Sequence, residues 1–182
     1  IDYVAMATTG NASDFGDTSV TRDGAVTSVS SPTRVVIGGG STGSLSDVID
    51  YVTTASTGDA ADFGDLTVAR NHVTGTSTSV RGVFAGGVAP AKSNVIDYIT
   101  IASTGDAQDF GDLTAVGQSA AGISNNTRGV FAGRGNHPAA SYQNIIDYVT
   151  IGSTGDAADF GDLTTSRHRI AGVSDSHGGL QG

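Results

Sequence analysis

Val48-Ile49-Asp50-Tyr51-Val52-Thr53-Thr54-Ala55-Ser56-Thr57-Gly58-Asp59-Ala60-Ala61-Asp62-Phe63-Gly64-Asp65-Leu66-Thr67 decides the fold, because the chain writes this stretch four times. Ile-Asp-Tyr begins at Ile1, Ile49, Ile96 and Ile146. Asp-Phe-Gly-Asp begins at Asp14, Asp62, Asp109 and Asp159, and both series are spaced 48, 47 and 50 residues apart. A period in this range marks a solenoid or propeller in which each repeat is one supersecondary unit.

Working outward, Val48 to Ala55 is β-branched and aromatic, with Ile49, Tyr51 and Thr53 alternating against Val48, Asp50 and Val52. That alternation predicts a strand. Ser56-Thr57-Gly58-Asp59 is a turn signal, and Asp62 to Thr67 a short second strand, irregular at its glycine. Val73 to Ser77 reads as a small-residue strand, and Arg81-Gly82-Val83-Phe84-Ala85-Gly86-Gly87 as a fourth that ends in a glycine pair. No segment carries a helical apolar period. Four short strands in about 47 residues are the size of one propeller blade.

Composition agrees and narrows the partners. Gly, Ser and Thr are abundant and tryptophan is absent, which favours short strands and tight turns. Eighteen acidic residues against nine Lys and Arg give a net charge of −9, which argues against nucleic acid and anionic membranes as partners. No apolar run approaches the ~20 residues of a membrane span. There is no cysteine, hence no thiol chemistry or disulfide framework. The sequence opens on Ile1 in mid-repeat, the expectation for a processed piece or part of a longer polypeptide.

Val83-Phe84-Ala85-Gly86-Gly87, then Tyr98, then Thr104-Gly105, then Phe110, with Arg22, Arg70 or Arg167 opening a unit, resembles the kelch-repeat family over essentially all 182 residues. Phe stands for the usual Trp, and Gly117 stands where the third unit should have its Arg. The wording Ile-Asp-Tyr-Ile-Thr-Ile-Ala-Ser-Thr-Gly with Asp-Phe-Gly-Asp-Leu-Thr is similar to repeats encoded by marine bacteriophages, cyanophages above all, in large virion or appendage proteins. The resemblance implies an all-β, kelch-like β-propeller of four four-stranded repeats. It is either a closed four-bladed ring or part of a longer array. With Arg70 opening the innermost strand, blades are expected at 20–67, 68–115 and 116–164, and a split blade from 165–182 plus 1–18 would hide the edge strands.

Asp-Phe-Gly without a Gly-rich loop, a strand lysine or a His-Arg-Asp loop is no kinase motif. Asp62-Phe63-Gly64 is similar to the Asp-box of sialidase-type propellers, which implies a structural role, although Ala60 and Thr67 replace the box's Ser and Trp. Asp50, Tyr51, Asp62, Phe63, Gly64, Gly86 and Gly87 are accordingly expected to be structural. Phe63 should pack between blades, Gly64 permit a tight bend and Asp62 accept from turn amides. Asp59, Asp62 and Asp65, repeated as Asp106/Asp109/Asp112 and Asp156/Asp159/Asp162, read as turn-forming and capping acids, with calcium coordination the alternative. Asp2, Asp50, Asp97 and Asp147 lie between Ile and Tyr, where an unpaired acid is costly to bury. Pairing with backbone amides or with Arg81 and Arg128 would lock each blade.

No metal or other cofactor is expected: His72, His137, His168 and His177 lack metal-ligand spacing. No catalytic residue stands out either, because nearly every acid recurs as scaffold while catalysis needs a unique constellation. The expected function is therefore non-enzymatic: a structural or recognition module, in a virion or otherwise extracellular, that meets other virion or appendage proteins or surface glycans. A lectin-like propeller and a propeller-scaffold hydrolase or oxidase are the alternatives. Variable loops on a rigid scaffold are where recognition resides. The loops on one rim supply Arg22, Arg70, His72, Arg134, His137, Tyr142, Arg167 and His168 as candidate binding residues.

Overall fold

The computed structural model describes residues 1–24, 26–136 and 141–174. Among them β1 (Asp2–Tyr3) and β2 (Ser13–Asp14) form a two-stranded sheet. β3 (Thr27–Ser30), β4 (Arg34–Gly38), β5 (Val48–Thr53) and β6 (Ala61–Asp65) form a four-stranded one. The next sheets are β7 (Thr74–Ser77) to β10 (Gln108–Asp112) through β8 (Arg81–Ala85) and β9 (Val95–Thr100), and β11 (Ala121–Ser124) to β14 (Ala158–Arg167) through β12 (Arg128–Asn136) and β13 (Ser141–Thr150). Each is an antiparallel meander in which spatial order follows chain order, so short turns suffice to connect it. No helix occurs among the described residues. The architecture is all-β and propeller-like.

The first strands of the three four-stranded sheets pack in series, β7 against both β3 and β11, and their Thr, Gly and Ser composition is what allows it. Hydroxyls cross from sheet to sheet: Ser77 Oγ donates to the Ser30 carbonyl at 3.1 Å, and Ser124 Oγ to the Ser77 carbonyl at 2.8 Å. The segment around Gly172 continues the series, because a Cβ there would lie 2.5 Å from Ile123 Cγ2. The inner strand of the second sheet begins at Thr74 and not at Arg70, whose side chain turns inward from the approach loop instead. The pairing expected between 165–182 and 1–18 rests partly on residues 175–182, which lie outside the described residues.

The Asp-Phe-Gly stretch is a β-bulge. Asp50 pairs with Asp62 and Ile49 with Gly64, which leaves Phe63 as the extra residue; Phe110 and Phe160 hold the same place in β10 and β14. The bulge turns Phe63 out of its own sheet and into a cluster with Ile99, Ile101 and Ala107 of the next, where it is 2 % exposed. Burial of such a ring contributes about 1.5–3 kcal/mol. Its edge-on contact with Tyr51, centroids 5.9 Å apart, recurs in all four units. Arg34, Arg81 and Arg128 cover the other side of Tyr51, Tyr98 and Tyr148, 4.3–4.8 Å above the ring centres.

Successive units dock through main chain as well. Gly105 N–H donates to the Phe63 carbonyl at 2.7 Å, Ala107 N–H to Asp65 at 2.8 Å, and Asp65 N–H to Asp106 Oδ1 at 3.1 Å. The same three bonds join Phe15 and Asp17 to the turn at Gly58, and Phe110 and Asp112 to the turn at Gly155. Gly64, at φ +142°, permits this approach, since a Cβ there would fall 2.5 Å from the Gly105 carbonyl. The first Asp of each acidic triplet thus ties a turn to the preceding unit.

Candidate functional site

The acids in the Ile-Asp-Tyr strands meet arginines, though not the ones expected. Asp50, Asp97 and Asp147 are fully buried and pair with Arg22, Arg70 and Arg134 respectively. Arg70 Nη2 reaches Asp97 Oδ2 at 2.9 Å and the Phe84 carbonyl at 3.2 Å. Each carboxylate also accepts a hydroxyl and an amide from the residue that leaves the preceding outer strand: Ser19, Thr67 or Thr114. Arg81 instead donates to the Ile151 carbonyl of the next sheet at 2.9 Å. Its guanidinium lies over Tyr98.

Arg22, Arg70 and Arg134 are therefore structural, which corrects their expected place on an open rim. Their side chains are 0–2 % exposed. Arg134 is the instructive one. Its unit has Gly117 at the place held by Arg70, and Arg134 comes instead from β12, at the place that Gly87 holds in the second unit. A Cβ on Gly117 would lie 2.8 Å from Arg134 Cβ and 2.9 Å from its Cδ, so the glycine provides the volume that the arginine fills.

What remains on the rim is a narrower set. Gly24, His72, Ser119 and Arg169 hold equivalent positions two residues past the arginine site, and all have positive φ: +76°, +54°, +56° and +51°. Their backbones form a ladder: His72 N–H donates to Gly24 O at 3.0 Å, Ser119 N–H to His72 O at 3.2 Å, and Arg169 N–H to Ser119 O at 3.0 Å. Three side-chain-bearing residues in left-handed backbone are sterically costly, and such positions cluster at functional sites. His72, Ser119 and Arg169, with Val73, Ala120 and Ile170, line an open cleft of about 410 Å³.

The chemistry of the cleft is mixed. His72 Nδ1 donates to Asn71 Oδ1 at 3.0 Å, which leaves Nε2 as an acceptor in the neutral ring. Burial, with the Arg169 charge added, holds the His72 pKa below the ordinary histidine value. Arg167 and Arg169 are exposed and flank His168, a local basic patch on an acidic chain. His168 stacks flat on Tyr142, rings 4.1 Å apart at 5°, and Tyr142 is 46 % exposed. His72, Tyr142, Arg167 and His168 of the expected set thus remain at the surface or half-buried, while His137 and His177 lie outside the described residues. Ser119 and Arg169 escape a reading of the sequence alone, because the residues on either side of them also vary from unit to unit.

The lowered pKa carries a sign. The folded state binds the His72 proton less tightly than the unfolded chain, so stability from this group is complete above about pH 6.5 and is lost as pH falls through the lower folded value. Urea midpoints measured from pH 7.5 to 5 should fall towards acid, and a His72→Gln variant should lose that part of the slope. No protein-family model and no curated protein matches the chain.

Proposed function

We propose that the chain is a non-enzymatic, kelch-like propeller module of a virion or other extracellular appendage. On this reading it recognises a carboxylate-bearing partner, a surface glycan or an acidic protein segment, through the cleft of His72, Ser119 and Arg169. One observation carries the reading: three non-glycine residues, His72, Ser119 and Arg169, stand in left-handed backbone at one repeat-equivalent position and line one cleft. The ladder that joins the four positions fixes their backbone sign but not their side chains, and non-glycine residues there carry a steric cost. An exposed guanidinium suits a carboxylate, and the Tyr142–His168 stack offers a flat face to a sugar ring.

The test is titration of the chain with uronic-acid and sialic-acid oligosaccharides and their neutral counterparts, followed by NMR of the His72 and His168 rings. Binding of the acidic sugars at one site, weakened roughly tenfold by Arg169→Gln, supports the reading. Binding that Arg169→Gln leaves unchanged sinks it.

A second reading is favoured by a separate observation. Three equivalent clefts recur at the outer turns, beside Tyr51, Tyr98 and Tyr148, with volumes of about 150, 250 and 190 Å³. Repeat-related clefts suit a lectin-like protein that binds identical sugars at three sites. A stoichiometry of three with neutral sugars, insensitive to Arg169, selects that reading over the first.

A further inference from the structure

The docking surface that joins successive units is left open at two places. Phe15, Phe63 and Phe110 each sit under the following turn, and the latter two are 2 % exposed, whereas Phe160 is 54 % exposed. Gly16, Gly64 and Gly111 would each drive a Cβ to within 2.6 Å of the following turn's carbonyl, whereas a Cβ at Gly161 meets nothing within 4 Å. The backbone is the same, with φ +137° at Gly161 against +140° to +142° in its equivalents. β14 therefore presents a preformed copy of a surface that is occupied in three other places.

The complementary half stands at the other unit. Turns at Gly58, Gly105 and Gly155 receive the preceding bulge, and their equivalent is Thr9-Gly10-Asn11. Gly10 has nothing within 4 Å of its Cβ direction, as at Gly58, Gly105 and Gly155, although those three have φ of +148° to +153° and Gly10 is not among the glycines of positive φ. Asn11 stands where Asp59, Asp106 and Asp156 accept an amide from the preceding unit, and its side-chain oxygen retains that acceptor without the charge. On a chain of net charge −9 the substitution lessens repulsion at a contact between copies.

We propose that the bulge of β14 at Phe160-Gly161 docks the Thr9–Asn11 turn of a second copy of this chain, reproducing the internal junction. In that contact the carbonyl of Phe160 accepts from Gly10 N–H, the Asp162 N–H donates to Asn11 Oδ1, and Phe160 leaves water. The contact is heterologous, one surface meeting a different one, so it propagates head to tail unless the ring of copies closes. Screening of like charges strengthens it as salt rises.

The experiment is sedimentation of the 182-residue chain over a range of concentrations, alone and as Gly161→Val. Because the sequence has no tryptophan, Phe160→Trp supplies a fluorophore that reports burial at the contact itself. The expected result is a mass that rises with concentration, an indole emission from the Phe160→Trp chain that shifts to the blue in parallel, and a Gly161→Val chain that stays monomeric, although a side chain at φ +137° also strains its own bulge. Asn11→Leu serves as the check from the other surface and should weaken association in the same way. A wild-type chain that remains monomeric at every concentration overturns the proposal, whether residue 160 is then exposed or is covered by the chain's own turn. So does association that Gly161→Val and Asn11→Leu leave intact.

Discussion

Asp97→Ala is expected to lower the stability of the chain by about 3–5 kcal/mol, because it strands the Arg70 guanidinium in a site without solvent. Typical domains have about 5–15 kcal/mol in total, so the variant should unfold at a much lower urea concentration. The loss is not the net worth of the pair. Burial pushes the Asp97 carboxyl up and Arg70 down despite their mutual attraction, so desolvation outweighs the pairing. The double replacement Asp97→Leu with Arg70→Met should therefore recover most of what the single one loses. Asp97→Asn, which keeps an acceptor for Thr67 Oγ1 while it removes the charge, should fall between. Asp106→Ala is the control: it deletes one acceptor, for the Asp65 amide, at an exposed position and should cost about 1 kcal/mol. Equal midpoints for Asp97→Ala and Asp106→Ala would show that burial of the charge does not matter here.

These expectations separate what the sequence displays from what it hides. Strand content, meander order and the packing of Phe63 between sheets follow from local pattern: alternation at Ile49–Thr53, a turn at Thr57-Gly58 and a glycine beside the aromatic. The bulge is visible in the sequence only as an irregular strand, because pairing register depends on the partner strand. The arginines are harder. Arg22, Arg70 and Arg134 read as rim residues because loops are usually exposed, and nothing local tells that each lies across from an aspartate 28, 27 or 13 residues away. Arg81 and Arg128, nearer the strands, look the better partners, but their reach ends over a tyrosine. The cleft at His72, Ser119 and Arg169 depends on a backbone sign that no side chain announces.

The exchange between positions 117 and 134 gives the sharpest test of how the repeat tolerates change. Arg134→Gly should cost about 3–5 kcal/mol, since Asp147 stays buried with no counter-charge. Gly117→Arg should also destabilise, by about 1–3 kcal/mol or more, because its Cβ enters space held by Arg134 Cβ and Cδ. Together the two changes recreate the arrangement of the second sheet, with arginine in the approach loop and glycine after β8. The backbone permits it: neither Gly117 nor Arg134 has positive φ, so neither position excludes the incoming residue. The double variant should accordingly lie within about 1 kcal/mol of the parent, a coupling energy beyond what neighbouring pairs usually show. Urea unfolding of the four proteins at pH 7 closes the cycle. If the double variant loses the sum of the two single losses, the ion pair is fixed to the strand that carries it. Recovery would mean instead that each unit requires only one guanidinium at its aspartate, and that the chain is indifferent to whether a strand or a loop delivers it.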